Sequence, residues 1–142
     1  MKAIILAAGR GSRLGLDIPK ALATIQSGKT ILNYQLVALA KAGIYPQDVI
    51  VVYGYKPKMI HNAITIRGAI PCYNPLWDCP GTLGSLLAGF KRITPSERIQ
   101  LTMVLNGDVV LDSLACVPHL EDPHTMTLMV NPCSPFDEEA WQ

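Results

Sequence analysis

A short stretch near the amino terminus gathers the residue types that grip phosphate. Leu6-Ala7-Ala8-Gly9-Arg10-Gly11-Ser12-Arg13-Leu14 is followed closely by Pro19-Lys20. Gly9 and Gly11 remove side chains where a ligand would approach the backbone. Successive backbone N–H groups in such a turn form a concavity for anions. Arg13 offers a bidentate fork to phosphate oxygens, and Lys20 a compact point charge. Much later in the chain, Asn106-Gly107-Asp108 supplies a carboxylate. Magnesium takes one or two such carboxylates and fills its shell with water and phosphate oxygens. Taken together, the two segments suit a metal-bound polyphosphate.

Two familiar phosphate loops do not fit the first segment. The dinucleotide fingerprint G-x-G-x-x-G needs a third glycine where Leu14 stands, and glycine comes one place late, at Gly15. No acidic residue closes the next strand to hold a ribose. The pattern G-x-x-x-x-G-K-[ST] is absent. What remains is L-A-A-G-x-G-S-R-L with a following Pro-Lys.

Both segments sit behind strand-like runs. Ala3 to Ala7 is short and continuously apolar, as in a strand buried on both faces, and so is Val49 to Tyr53. Leu101 to Leu105 is a third clear strand. Ala21 to Ile25 reads as a short extended piece turned at Gln26-Ser27-Gly28. Thr30 suits a helix N-cap, with Leu32, Leu36, Leu39 and Ala40 on one helical face and Gly43 as the stop. Lys58 to Ile64 reads as one or two helical turns, and Ile64 to Tyr73 as a strand weakened by Gly68 and Pro71. Asn74 to Gly81 is a loop. Thr82 to Ile93 is a helix with Leu83, Leu86, Leu87 and Phe90 on one side. Ser113 to Leu120 reads as a short helix and Met126 to Val130 as a strand. The alternation implies an α/β domain, a three-layer Rossmann-like fold around a mostly parallel, mixed sheet. Such sheets bind ligands beyond their C-terminal strand ends. That rule selects the loops Ala8 to Lys20 and Gly107 to Asp112.

The first motif with its Pro-Lys pair resembles the signature of the sugar-phosphate and related nucleotidyltransferases. The resemblance runs from Met1 to about Val130. It implies that Leu6, Ala7, Ala8, Gly9, Gly11, Ser12 and Arg13 wrap a nucleoside triphosphate. It further implies that Arg13 contacts the β and γ phosphates and Lys20 the reacting phosphates, and that Gly107-Asp108 binds Mg2+ through Asp108. The family sometimes carries an acidic residue near Asp112, but Asp112 or Ser113 also suits a helix N-cap, and the cap is favoured. Asn74-Pro75-Leu76-Trp77 with Gly81-Thr82-Leu83-Gly84-Ser85-Leu86 is most similar to the choline-phosphate cytidylyltransferase branch, with some likeness to molybdenum-cofactor guanylyltransferases. By that likeness Gly81, Thr82 and Ser85 would read the base or ribose. This chain has Gly81-Thr82 where the cytidylyltransferase branch often has asparagines, so the base stays open. Trp77 and Ser85 equally suit a packed loop aromatic and a helix-surface serine.

The implied reaction joins a nucleoside monophosphate to a sugar 1-phosphate, phosphocholine or another small phosphate. Family members continue further, so the chain reads as the N-terminal nucleotide-binding portion of a single domain spanning residues 1–142. A non-catalytic nucleotide-binding module is the competing reading, and a nicotinamide-dependent oxidoreductase a third. An unfinished sheet edge favours dimerisation or aggregation.

Composition agrees with a folded domain. The 142 residues are 49% hydrophobic and 16% charged, which excludes a disordered chain. A net charge of +1 carries no large field for nucleic acid or an anionic membrane. No apolar run suits a membrane span or a signal peptide, so a soluble, cytoplasmic protein is expected. Cys72, Cys79, Cys116 and Cys133 show no metal-ligand spacing, and neither do His61, His119 and His124.

Overall fold

The computed structural model describes residues 1–11, 15, 17–25, 28–96 and 102–110. Within them, β1 (Lys2–Ala7), β2 (Val49–Tyr53), β3 (Ile70–Tyr73) and β4 (Thr102–Asn106) form one sheet in the order β3-β2-β1-β4, with every pairing parallel. The helices are α1 (Ile31–Lys41), α2 (Pro57–Ile66) and α3 (Leu83–Lys91). Among the described residues, no helix is long and apolar enough to cross a membrane.

Side-chain alternation along each strand builds two cores. Ala3, Ile5, Val49, Val51, Met103 and Leu105 face Leu32, Leu36 and Leu39 of α1 and Ile60 and Ile64 of α2. Ile4, Ile50, Val52 and Cys72 face the other way, against Ala88 and Phe90 of α3 and Ile93 just beyond it. Helices therefore cover both faces, which gives the expected three layers. β1 and β2 are apolar at consecutive positions because both of their faces are covered.

The expected helix start at Thr30 is present. Its hydroxyl oxygen accepts from the Asn33 N–H at 3.2 Å. Gly43 ends the helix with φ +82°.

Three expectations need correction. The segment Ile64 to Tyr73 is not one strand. α2 runs on to Ile66, Gly68 turns the chain at φ +75°, and only Ile70–Tyr73 pairs with β2. A short apolar run does not reveal its own periodicity, and Ile64 is a helical core residue. Lys20–Leu22 is a 3-10 turn, and the extended piece behind it is reduced to a single antiparallel bridge, Thr24 with Thr30.

The third correction concerns α3, which does not bury its leucine side. Leu83 and Leu87 are exposed, and Ser85 and Gly89 face inward. A Cβ on Gly89 would stand 2.7 Å from Ile4 Cγ2 and 3.1 Å from Val52 Cγ2. The helix lies so close to the sheet that only its small-residue side fits there. The expected elements at Ser113 to Leu120 and Met126 to Val130, and Leu101 itself, lie outside the described residues.

The strand order is what makes a site. The chain goes from β1 outward through β2 to β3, then returns across the sheet to place β4 on the other side of β1. β1 and β4 thus flank the point where the order reverses. Parallel α/β sheets open a crevice there, beyond the carboxyl ends of the strands. Leu6 stands opposite Asn106 in register, so the two loops singled out by the sequence leave the sheet side by side.

Candidate functional site

The β1 side of the crevice is built on two glycines and a lysine. Gly11 has φ +67°, a conformation that L side chains rarely adopt, and a Cβ there would stand 2.8 Å from Lys20 Cβ. The turn therefore packs its bare backbone on the Lys20 stem. Lys20 opens the 3-10 turn, which is closed by Leu22 N–H to Pro19 O at 2.8 Å and anchored by buried Ala21. Gly9 has nothing within 4 Å of its Cβ position. The bare edge of the loop lies there.

The β4 side is held more tightly. Gly107 N–H donates to Leu6 O at 2.8 Å and extends the ladder past the end of β4. A Cβ on Gly107 would stand 2.6 Å from Leu6 O and 2.7 Å from Ala7 Cα. Both obstacles are backbone, so glycine is required. Gln35 of α1 reaches the same loop. Its Nε2 donates to Asn106 O at 2.7 Å and to Val109 O at 2.8 Å.

The two sides meet in an ion pair. Lys20 Nζ lies 2.7 Å from Asp108 Oδ2, with both side chains partly exposed. Leu6, Ala7, Gly9, Gly11, Lys20, Ala21, Thr82, Asn106, Gly107 and Asp108 line a cleft of about 320 Å³. That volume is at the low end of small-ligand sites. A cation, a carboxylate and a glycine turn around one opening can receive a metal-bound phosphate chain. Among the described residues no three His, Cys, Asp or Glu side chains cluster. The donor set at the cleft is the single Asp108 carboxylate. It fits a cation such as Mg2+ that draws most of its shell from phosphate oxygens and water.

The remaining expected residues divide. Thr82 lines the cleft, and Gly81 beside it is exposed with φ +89°. Ser85 does not line it. It is buried, and its Oγ accepts from Asn74 Nδ2 at 3.1 Å, while Asn74 Oδ1 accepts from Leu76 N–H. Ala8 is also buried, its carbonyl accepting from Tyr55 N–H at 3.1 Å. Ser12 and Arg13 lie outside the described residues, as does Asp112.

Two features escaped the sequence reading. One is Gln35. It shares the helical face of Leu32, Leu36 and Leu39, and a polar residue inside an apolar stripe was the available signal. The other is a clasp across the first loop. Asp17 accepts from Tyr55 Oη at 2.8 Å and pairs with Lys56 Nζ at 2.6 Å, and Lys56 also donates to the Asp17 carbonyl. The Lys56 hydrogen bond, with that from Tyr55, holds the Asp17 carboxyl below its ordinary range. The Arg10 guanidinium lies 5.6 Å from the Tyr55 ring centre, and the Trp77 ring packs on Tyr55 with the ring centres 5.5 Å apart. Gly54 leaves the room for Trp77, since a Cβ there would stand 2.0 Å from Trp77 Cβ.

A second cleft is lined by Tyr53, Pro57, Lys58, His61 and Asn62, with Tyr53 Oη hydrogen-bonded to His61 Nδ1 at 2.7 Å. Burial pushes the Tyr53 hydroxyl pKa up. Neither sequence motif contributes to it.

The chain has known relatives in sequence, and solved structures that share its fold. A family model described as a MobA-like NTP transferase domain matches residues 3–123. The bifunctional protein GlmU of Blochmanniella pennsylvanica is 38% identical over 109 residues, 75% of this chain and 22% of that protein. GlmU of Francisella tularensis subsp. novicida is 29% identical over 122 residues, 86% of this chain and 25% of that protein. This chain thus spans about a quarter of the length of these relatives. Among solved structures, the CTP:phosphocholine cytidylyltransferase of Streptococcus pneumoniae superposes with a TM-score of 0.61 at 28% identity, covering 75% of this chain and 44% of that one. A nucleotidyl transferase from Methanothermobacter thermautotroptrophicus gives 0.62 at 27% identity, covering 79% and 52%.

Proposed function

This chain belongs to the MobA-like NTP transferase domain family, and from that premise we propose that it transfers a nucleoside monophosphate from a Mg2+-bound triphosphate to a phosphorylated small molecule. The observation that carries the reading is the meeting of Lys20 and Asp108, 88 positions apart in sequence, across the glycine-lined cleft between β1 and β4. A sugar 1-phosphate or phosphocholine is the proposed acceptor class. Phosphocholine draws support from the pneumococcal structural neighbour, whose own substrates are CTP and phosphocholine.

In this reaction an acceptor phosphate oxygen attacks the α-phosphorus in line. The bond from that phosphorus to the β-bridging oxygen breaks, and pyrophosphate leaves with the electron pair. The nucleophile is already anionic, so no general base is needed. The turn at Gly9 and Gly11 would accept the phosphates on bare backbone, with Arg13 and Ser12 completing the wrap. Lys20 would exchange Asp108 for phosphate oxygens and neutralise charge as it develops. Asp108 would hold Mg2+, which when bound supplies charge neutralisation and a template for the phosphates. Leu6, Ala7 and Ala8 would contribute the strand end on which the triphosphate rests. Gly81 and Thr82 would lie against the base or ribose, and Ser85, through its bond to Asn74, would brace the loop at Leu76 that precedes them.

The test is pyrophosphate release with Mg2+ over the common triphosphates and a panel of phosphorylated acceptors. Release that requires both substrates supports transfer. Triphosphate binding without turnover on any acceptor would make the chain a nucleotide-binding module. Tight NADH binding with no triphosphate binding would sink both readings.

A further inference from the structure

We infer that Gln35 is a positioning residue for the metal-binding carboxylate, a proposal that rests on the Asp108 role given above. Gln35 lies on α1 with no exposed surface. Its amide nitrogen donates to Asn106 O at 2.7 Å and to Val109 O at 2.8 Å. Those carbonyls bracket Gly107 and Asp108, so one buried side chain pins both ends of the turn that carries the carboxylate. The same turn is closed by Val109 N–H to Asn106 O at 3.2 Å. Of the amide's two ends only the NH2 donates, and its two hydrogens serve the two carbonyls, which fixes the amide's orientation.

That orientation leaves a cost. Gln35 Oε1 is buried with no hydrogen-bond partner among the described residues. A leucine would fill the same stripe of α1 without an orphaned oxygen, and its neighbours Leu32, Leu36 and Leu39 do so. Packing alone therefore does not account for glutamine here. Holding the Asp108 turn does. A carboxylate that shares a metal with a mobile triphosphate binds better when its backbone is already fixed.

The experiment compares Gln35→Leu with the wild type and with two controls, Asp108→Asn and Leu39→Val. Leu39→Val is a packing lesion on the same helix. The probe is Mn2+–tripolyphosphate, with affinity read by water-proton relaxation and metal-free tripolyphosphate as the reference ligand. Loss of an outer-shell partner typically weakens metal affinity by roughly 10- to 100-fold. Gln35 acts through backbone rather than on the carboxylate itself, so a loss of about tenfold is expected. Metal-free tripolyphosphate should bind Gln35→Leu and the wild type alike. Leu39→Val should lower the melting temperature and leave the Mn2+ complex affinity unchanged. Should Gln35→Leu not fold, Gln35→Asn keeps the amide, shortens its reach and carries the same expectation.

Equal affinity of the wild type and Gln35→Leu for the Mn2+ complex overturns the proposal. So does a loss no greater than that of Leu39→Val. In either case a weakened Asp108→Asn leaves the metal assignment standing. If Asp108→Asn also binds like the wild type, the metal assignment falls and this proposal with it.

Discussion

Replacing Gly107 by alanine tests the contact on which the cleft is built. The new Cβ would stand 2.6 Å from Leu6 O, 2.7 Å from Ala7 Cα and 3.0 Å from Ala7 Cβ. Two of those atoms are backbone in β1, the strand paired on both sides, so no side chain can rotate away. Overpacking of this kind costs about 1 to 3 kcal/mol. Separating the strand ends also weakens the 2.8 Å bond from Gly107 N–H to Leu6 O, worth about 1 kcal/mol. The expected total is about 2 to 4 kcal/mol. An unfolding entropy of about 2.1 cal/mol/K per residue over 142 residues is about 0.3 kcal/mol/K. The melting temperature should therefore fall by roughly 7 to 13 °C, followed by circular dichroism. Gly9→Ala is the control, because nothing lies within 4 Å of its Cβ position. It should stay within about 0.5 kcal/mol, or roughly 2 °C, of the wild type. Equal melting temperatures for Gly107→Ala and Gly9→Ala would refute the close approach of β1 and the β4 loop.

Other outcomes follow from single contacts. Lys20→Ala should cut pyrophosphate release by about a hundredfold or more, as removal of one well-placed charge contact does. Its melting temperature should barely move, because the Lys20–Asp108 pair is partly exposed. Thr30→Ala removes the α1 cap and should cost about 1 kcal/mol, read by urea denaturation. The Asp17 clasp has an acid limit. Its folded pKa lies below the ordinary 3.8, so its contribution is complete above that value and is lost as pH falls through the lowered one. Trp77 fluorescence, sensitive to the Tyr55 contact, should hold steady from pH 8 to about 5 and respond to clasp opening only in stronger acid.

The sequence made the strand ends legible because their chemistry is local. A glycine-rich turn behind an apolar strand, and an Asn-Gly-Asp behind another, announce loops at the edge of a parallel sheet. The rule of the carboxyl-end crevice then directs attention to both. Their adjacency was not written in either segment. It comes from the return of the chain across β2 and β1 to β4, a property of strand order.

Burial was harder to read. The leucine side of α3 looked like its core face, yet contact distance decided otherwise. Gly89 and Ser85 allow the helix to sit against Ile4 and Val52, which leaves Leu83 and Leu87 outside. Spacing showed the helix and not how close it would come. Gln35 shows the reverse case. The stripe of α1 was legible, but the role of Gln35 within it was not, because its partners, Asn106 and Val109, are more than 70 positions away. Likewise Gly54 directly follows β2 in the sequence, while the need for glycine there is set by Trp77 from another loop.

A crystal structure with Mg2+ and a non-hydrolysable nucleoside triphosphate tests the account most directly. The triphosphate should lie between the Gly9–Gly11 turn and Asp108, with Lys20 turned from the carboxylate to the phosphates and the metal on Asp108. A triphosphate found instead in the Tyr53–His61 cleft, with the Lys20–Asp108 pair intact, would contradict it.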